Sequence, residues 1–335
     1  MLYRLAINAL VGATVLALAL LSPRHAAAEV EPYHPGIMRL SVDGRPAALV
    51  WYPTDVAPSS IKIGPFDLMA SFGSPLAQEN ARYPVVLISH GRGAGPLSHR
   101  SLGMRLARSG YVVVGLAHTT TDSSGPPRQL RSAESLANRS LQAKSALDAL
   151  LTDPRFSGRI DEHRLGVIGF SLGGSTALAL GGAVPNFAAA ADYCSQHPED
   201  AGSCDGLFEA REGEELGIQA HDPRIKAIAL LDPAAVFFDQ AGLARNSVPI
   251  LLAMPSDDRL MHRWPNASAI ARALERRPIE IVLPGQHFVF VDPCPDDSAS
   301  RESLICRDPV DVDRREVQRT LSKHIVEFFR SALPD

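Results

Sequence analysis

Long apolar runs separated by helical patterns organise the chain from about residue 84 onward. Pro84-Val85-Val86-Leu87-Ile88-Ser89, Tyr111-Val112-Val113-Val114-Gly115-Leu116 and Arg164-Leu165-Gly166-Val167-Ile168-Gly169-Phe170 lack polar alternation. Such runs predict strands buried on both faces. Shorter runs at 225–231, 249–253 and 279–283 predict three more. Helical patterns fall between them, at 100–109 with Gly110 as the stop, at 132–151 and at 173–180. A last helix, 314–333, is amphipathic, with Val317, Leu321, Ile325, Phe328 and Phe329 on one stripe. Near the start, 38–42 and 47–52 predict two strands joined by Asp43-Gly44-Arg45. Residues 54–82 read as irregular, and 119–130 as a polar loop. Residues 185–222 break the rhythm with a cysteine pair and the acidic run 212–215, and read as an insertion on the sheet rim. The alternation predicts an α/β fold with a mostly parallel central sheet and helices on both faces.

Composition adds limits. The chain has 335 residues, 45% of them apolar, and a formal charge of −4 with no long basic run, which argues against a nucleic-acid partner. Residues 1–28 read as a signal peptide. Arg4 opens it, an apolar stretch 5–21 broken only by Asn8 follows, and Ala26-Ala27-Ala28 supplies a small-residue cleavage site. An uncleaved anchor helix is the competing reading. Cleavage leaves 29–335 as one exported domain, periplasmic or secreted, with no membrane span. Cys194, Cys204, Cys294 and Cys306 all lie in that part. An even count in an exported chain predicts disulfides, and local spacing favours Cys194–Cys204 and Cys294–Cys306 among three connectivities. Zinc is the rival, without the C-x-x-C or paired-His spacing that usually marks it.

In parallel sheets, chemistry gathers at the carboxyl ends of the strands. Gly169-Phe170-Ser171-Leu172-Gly173-Gly174 fits G-x-S-x-G and sits between a predicted strand and a predicted helix. A sharp turn there exposes the serine, and the flanking glycines remove side chains that would collide. Serine needs a base. His287, in Gly285-Gln286-His287-Phe288, follows the last predicted strand. Two strand ends offer a carboxylate for its imidazole: Asp257-Asp258 after 249–253, and Asp232 after 225–231. The loop His90-Gly91-Arg92-Gly93-Ala94-Gly95 brings glycines close to the site. The backbone N–H groups of Arg92 and Leu172 are the candidate oxyanion donors.

These three motifs together resemble the α/β-hydrolase superfamily, in particular its dienelactone-hydrolase-like and platelet-activating-factor acetylhydrolase-like esterases. Val50-Trp51-Tyr52-Pro53-Thr54 resembles their early strand, and the tail through Cys294 and Cys306-Arg307-Asp308-Pro309 resembles exported bacterial members. The resemblance places the first oxyanion donor on Arg92. In the dienelactone-like branch it implies Asp258 as the acid, within Asp258-Arg259-Leu260-Met261-His262 through Asn266-Ala267, where His262 replaces the usual proline. In the acetylhydrolase branch it implies Asp232, in Leu231-Asp232-Pro233. Asp258 is the preferred expectation and Asp232 the alternative. Dienelactone hydrolases use a cysteine nucleophile, so Ser171 does not imply lactone opening.

The expected function is an exported serine esterase acting through an acyl-enzyme on small or lipid-like esters, short-chain for want of an apolar cap, and requiring neither metal nor cofactor. Two alternatives stand beside it: a non-catalytic binding member of the fold, and an amide or peptide hydrolase using the same triad.

Overall fold

The computed structural model describes residues 31–42, 45–77, 82–118, 132–204, 220–295 and 303–335. The expected signal peptide, the polar loop 119–130 and the acidic run 212–215 lie outside the described residues. The strands are β1 (His34–Val42), β2 (Arg45–Thr54), β3 (Ser59–Ile63), β4 (Phe66–Phe72), β5 (Tyr83–Ser89), β6 (Val112–Leu116), β7 (Ile160–Phe170), β8 (Ile225–Leu231), β9 (Ile250–Pro255) and β10 (Ile279–Leu283). They join in the order β10-β9-β8-β7-β5-β6-β2-β1-β4-β3. From β6 through β10 every pairing is parallel, whereas β2 runs antiparallel to both β6 and β1.

Eight helices accompany the sheet among the described residues: α1 (Arg100–Arg108), α2 (Ser132–Thr152), α3 (Leu172–Leu180), α4 (Phe187–Gln196), α5 (Ala201–Cys204), α6 (Gln240–Leu243), α7 (Ala267–Ala273) and α8 (Arg314–Ala332). Successive strand residues point to opposite faces. Val85, Leu87, Val112, Val114 and Val167 therefore pack with Leu147 of α2, Leu178 of α3 and Ile270 of α7. Val86, Ile88, Val113 and Ile168 pack with Leu106 of α1 and Leu321, Ile325 and Phe329 of α8. Two cores thus sandwich one sheet, which explains the unbroken apolar runs.

The region 54–82 corrects one expectation. It is not wholly irregular, since β3 and β4 form a hairpin with Ile63 opposite Phe66 across Gly64-Pro65, Gly64 at φ +59°. Ile63, Leu68 and Ala70 are buried, while Lys62, Asp67 and Met69 are exposed. The alternation is real but spans only five and seven residues on the sheet's edge. β4 then adds to β1 in parallel, Gly36 beside Ser71.

Phe329 is fully buried, and its ring occupies the space that a Cβ on Gly166 would need. Phe329→Ala should leave a cavity between α8 and β7 and cost about 3–5 kcal/mol. A urea melt of the two proteins checks this; a loss under 1 kcal/mol would mean that α8 is not a full partner in the core.

Candidate active site

The turn from β7 into α3 places Ser171 at φ 53°, ψ −121°. Among the described residues only Ser171 and Asp232 combine a side chain with a positive φ. Such strain persists only where the surroundings enforce it. Ser171 N–H donates to the carbonyl of Leu231 (3.1 Å), and the Ser171 carbonyl accepts from Gly174 N–H (2.8 Å) and Ala234 N–H (2.9 Å). The elbow is thereby bonded to the end of β8 and the segment after it. A side chain on Gly173 would collide with the carbonyl of Ser89, and one on Gly169 with the carbonyl of Gly173. That close approach is what the glycines permit.

Asp232 follows β8, with its N–H bonded to Ala253 of β9 (2.8 Å). His287 opens a single 3-10 turn, His287–Phe290, soon after β10. Its Nδ1 lies 2.7 Å from Asp232 Oδ2, in a hydrogen bond, and 3.5 Å from Asp258 Oδ2. All three side chains are buried. Asp258 Oδ1 accepts from Leu260 N–H (2.8 Å), whereas its buried Oδ2 has no hydrogen-bond partner. Both sequence-derived acids therefore reach the imidazole, but the direct hydrogen bond belongs to Asp232. Burial opposes charge on His287, yet the hydrogen bond to Asp232 and the charges of both carboxylates outweigh it and hold the imidazole up at about 9. Burial, reinforced by Asp258 beside it, raises Asp232 to about 7 against the pull of His287. Two carboxylates this close resist ionising together. One ligand atom from each of the three residues falls within 4.8 Å of the others, a spacing that a metal ion could also use.

The turn carrying His287 is held from behind. Gln318 of α8 donates to the Val289 carbonyl (2.6 Å), His99 Nδ1 bonds the Phe290 carbonyl (3.0 Å), and Asp292 Oδ2 accepts from Ser101 N–H of α1 (2.6 Å). Phe170 lies against the imidazole, with ring centroids 4.9 Å apart.

Ser171 and His287 both line a cleft of about 370 Å³. Arg92 and Leu172 also line it, together with Phe170, Ala234, Phe237, Leu260 and Phe288. Leu172 is the first residue of α3, where backbone N–H groups lack intrahelical acceptors. One wall, Ala201, Gly202 and Ser203, comes from the rim insertion. There a disulfide, Cys194–Cys204 (Cα–Cα 5.5 Å), ties α4 to α5. The second disulfide is Cys294–Cys306 (5.6 Å).

The sequence profile of the PET hydrolase-like family matches residues 75–201. Over 123 residues the chain is 34% identical to cutinase est1 of Thermobifida alba, and 32% identical both to cutinase 2 of Thermobifida cellulosilytica and to cutinase cut1 of Thermobifida fusca. Each alignment takes in 36% of this chain and 38%, 42% and 35% of these relatives, so the likeness spans well under half of their length. The protein has the α/β-hydrolase fold. The family match contains the His90–Gly95 loop and the elbow, and ends before Asp232, Asp258 and His287.

The cleft also depends on residues to which no sequence motif assigned a role. Phe237 and Leu260 lie in segments whose course only the fold reveals. Asn266, noted in the sequence only as part of a family segment, is buried at the junction of three loops. Its Oδ1 accepts from Ala235 N–H (2.8 Å) and Val236 N–H (3.1 Å), and its Nδ2 donates to Ser203 Oγ (2.7 Å) and the His262 carbonyl (2.8 Å). It joins the segment after Asp232, the insertion and the loop after Asp258. Asn266→Ala would strand two buried N–H groups, each costing about 1–3 kcal/mol. A lowered melting temperature with loosened protection of the Ala235 and Val236 amides in hydrogen exchange is the expected result; unchanged protection would refute the clasp.

Proposed function

We propose that the protein is an exported serine hydrolase that cleaves carboxylic esters, short-chain ones by preference. The observation that carries this reading is the convergence in one cleft of a strained, turn-mounted Ser171 and a buried His287 hydrogen-bonded to a carboxylate. In the proposed cycle Ser171 Oγ attacks the ester carbonyl carbon while His287 takes the hydroxyl proton. The carbonyl electron pair moves onto oxygen, facing the N–H groups of Leu172 and Arg92. Collapse expels the alcohol, which receives the proton from His287. Water, deprotonated by the same imidazole, then releases the acid from the acyl-enzyme. The partial likeness to cutinases, and the PET hydrolase-like match over the segment that holds elbow and loop, support an ester as the acceptor. The modest cleft, walled by the disulfide-tied insertion, supports a short acyl group. The two disulfides support export, with 1–28 as the signal.

Ser171→Ala should abolish turnover of p-nitrophenyl acetate and butyrate, and labelling by an organophosphonate, with an unchanged circular dichroism spectrum. Loss of such a nucleophile costs several orders of magnitude. Near wild-type labelling of the variant would remove Ser171 from the mechanism, and an inactive, unlabelled wild type would sink the esterase reading.

For the acid we propose Asp232, with Asp258 as a second carboxylate that stabilises the imidazolium from 3.5 Å. Asp232→Asn should depress kcat steeply, by up to the ~10⁴ seen in serine proteases, and Asp258→Asn by about tenfold. The base works only as neutral imidazole. Because His287 is held at about 9, activity should climb with pH on the alkaline side of neutrality. Removing the charge of Asp258 should bring that ascending limb to lower pH. If Asp258→Asn is the crippled enzyme, the two roles are exchanged.

A further inference from the structure

Behind the loop His90–Gly95 lies a cation that the proposed mechanism does not use. Arg139 of α2 is 3% exposed. Among the described residues no carboxylate pairs with its guanidinium. Its contacts are all to neutral acceptors. One Nη2 bond runs to the His90 carbonyl and another to Ser89 Oγ (3.2 Å), and Nε donates to Thr176 Oγ1 (3.1 Å). Ser89 ends β5, His90 starts the loop that carries Arg92, and Thr176 lies on α3, the helix that follows Ser171. One planar fork therefore ties the loop to the helix.

The neighbours are arranged so as not to dilute that charge. His118 Nε2 lies 2.9 Å from Ser89 Oγ, and its Nδ1 lies 3.0 Å from Gln142 Oε1. The His90 and His118 rings sit 5.1 Å apart. Burial, followed by the adjacent guanidinium, lowers His90 to about 3 and puts His118 well below its ordinary range, so both are neutral. A buried charge without a counter-ion costs stability unless dipoles or a function compensate it. Here three oxygen dipoles do so in part, and the positive charge that remains stands behind the place where an ester oxygen would become negative.

We propose that Arg139 is a positioning residue for the oxyanion site: it holds the His90 carbonyl, and with it the Arg92 N–H, in register with the first turn of α3, and it supplies buried positive potential there. The inference rests on the esterase reading above. Its signature is selective for the tetrahedral state, because a trifluoromethyl ketone accepts Ser171 Oγ at its carbonyl carbon, passes the carbonyl pair to oxygen and leaves the proton on His287. The matching secondary alcohol fills the same cleft but forms no adduct.

The test measures wild type, Arg139→Met and Arg139→Lys in the mature chain. Arg139→Met should lower kcat on p-nitrophenyl butyrate by about 10- to 100-fold, with KM within about threefold, less than the ~10²–10³ of losing an oxyanion donor outright. Affinity for the trifluoromethyl ketone should fall by a similar factor, while affinity for the alcohol stays within twofold. Arg139→Lys keeps a point charge but not the fork, and should recover part of the loss. Equal kcat in Arg139→Met and wild type, or equal losses in ketone and alcohol affinity, would overturn the proposal. Should Arg139→Met not fold, the same comparison in Arg139→Lys decides it: selective loss of ketone affinity supports it, and parallel or no loss overturns it. A wild type that binds the ketone no better than Ser171→Ala would refute the esterase reading itself, and this inference with it.

Discussion

The site depends on how closely the main chain of the elbow can approach its neighbours. Ser171 must turn through a positive φ, and that backbone is tolerated because β5 and β8 hold it on either side. The Leu231 carbonyl takes its N–H, and Ala234 donates to its carbonyl. Gly173 lies against the Ser89 carbonyl and Gly174 against Pro233, with no room for a Cβ at either. Everything placed by this contact follows from it: the start of α3, the loop after β5, and the segment that begins with Asp232.

Asp232 shows how far this reaches. It is the other strained non-glycine position among the described residues, and it lies one strand away from Ser171. Its main chain is fixed by β9 through Ala253, and its side chain by His287. Asp258, in contrast, rests on a turn after β9 whose own amide at Leu260 occupies one of its oxygens. The two carboxylates meet the same nitrogen with different degrees of constraint, which is the physical ground for giving them different tasks.

Much of this was legible in the sequence, and the exceptions are instructive. Buried parallel strands announce themselves because both faces are apolar, so β5, β6, β7 and a sheet covered on both faces were readable from the unbroken apolar runs. The elbow was readable because its steric demand writes glycines into the chain. The hairpin β3–β4 was not, since a short edge hairpin with one wet face leaves a weak alternation around Gly64-Pro65. Nor could spacing rank Asp232 against Asp258. Both follow strands that are neighbours in the sheet, and they differ by less than one ångström in their approach to Nδ1. Arg139 was silent for another reason. An arginine within a helical pattern reads as solvated surface until the fold shows it reaching between β5 and α3.

The attachment of His287 bears on which parts of the chain can be dispensed with. Ser171 stands at the centre of the sheet, while His287 rides beyond β10, an edge strand whose Ile279 and Val282 are exposed. Gln318 on α8 steadies that turn beside His99 and Asp292, with Arg314 at the start of the same helix bonded to the Ile305 carbonyl and to Asp308. A truncation that removed α8 would spare every residue of the cleft and the whole Ser171 turn. It would nonetheless remove the Gln318 bond and leave the turn that carries His287 to the His99 and Asp292 contacts alone, so a helix that lines no part of the cleft bears on how far the chain can be shortened.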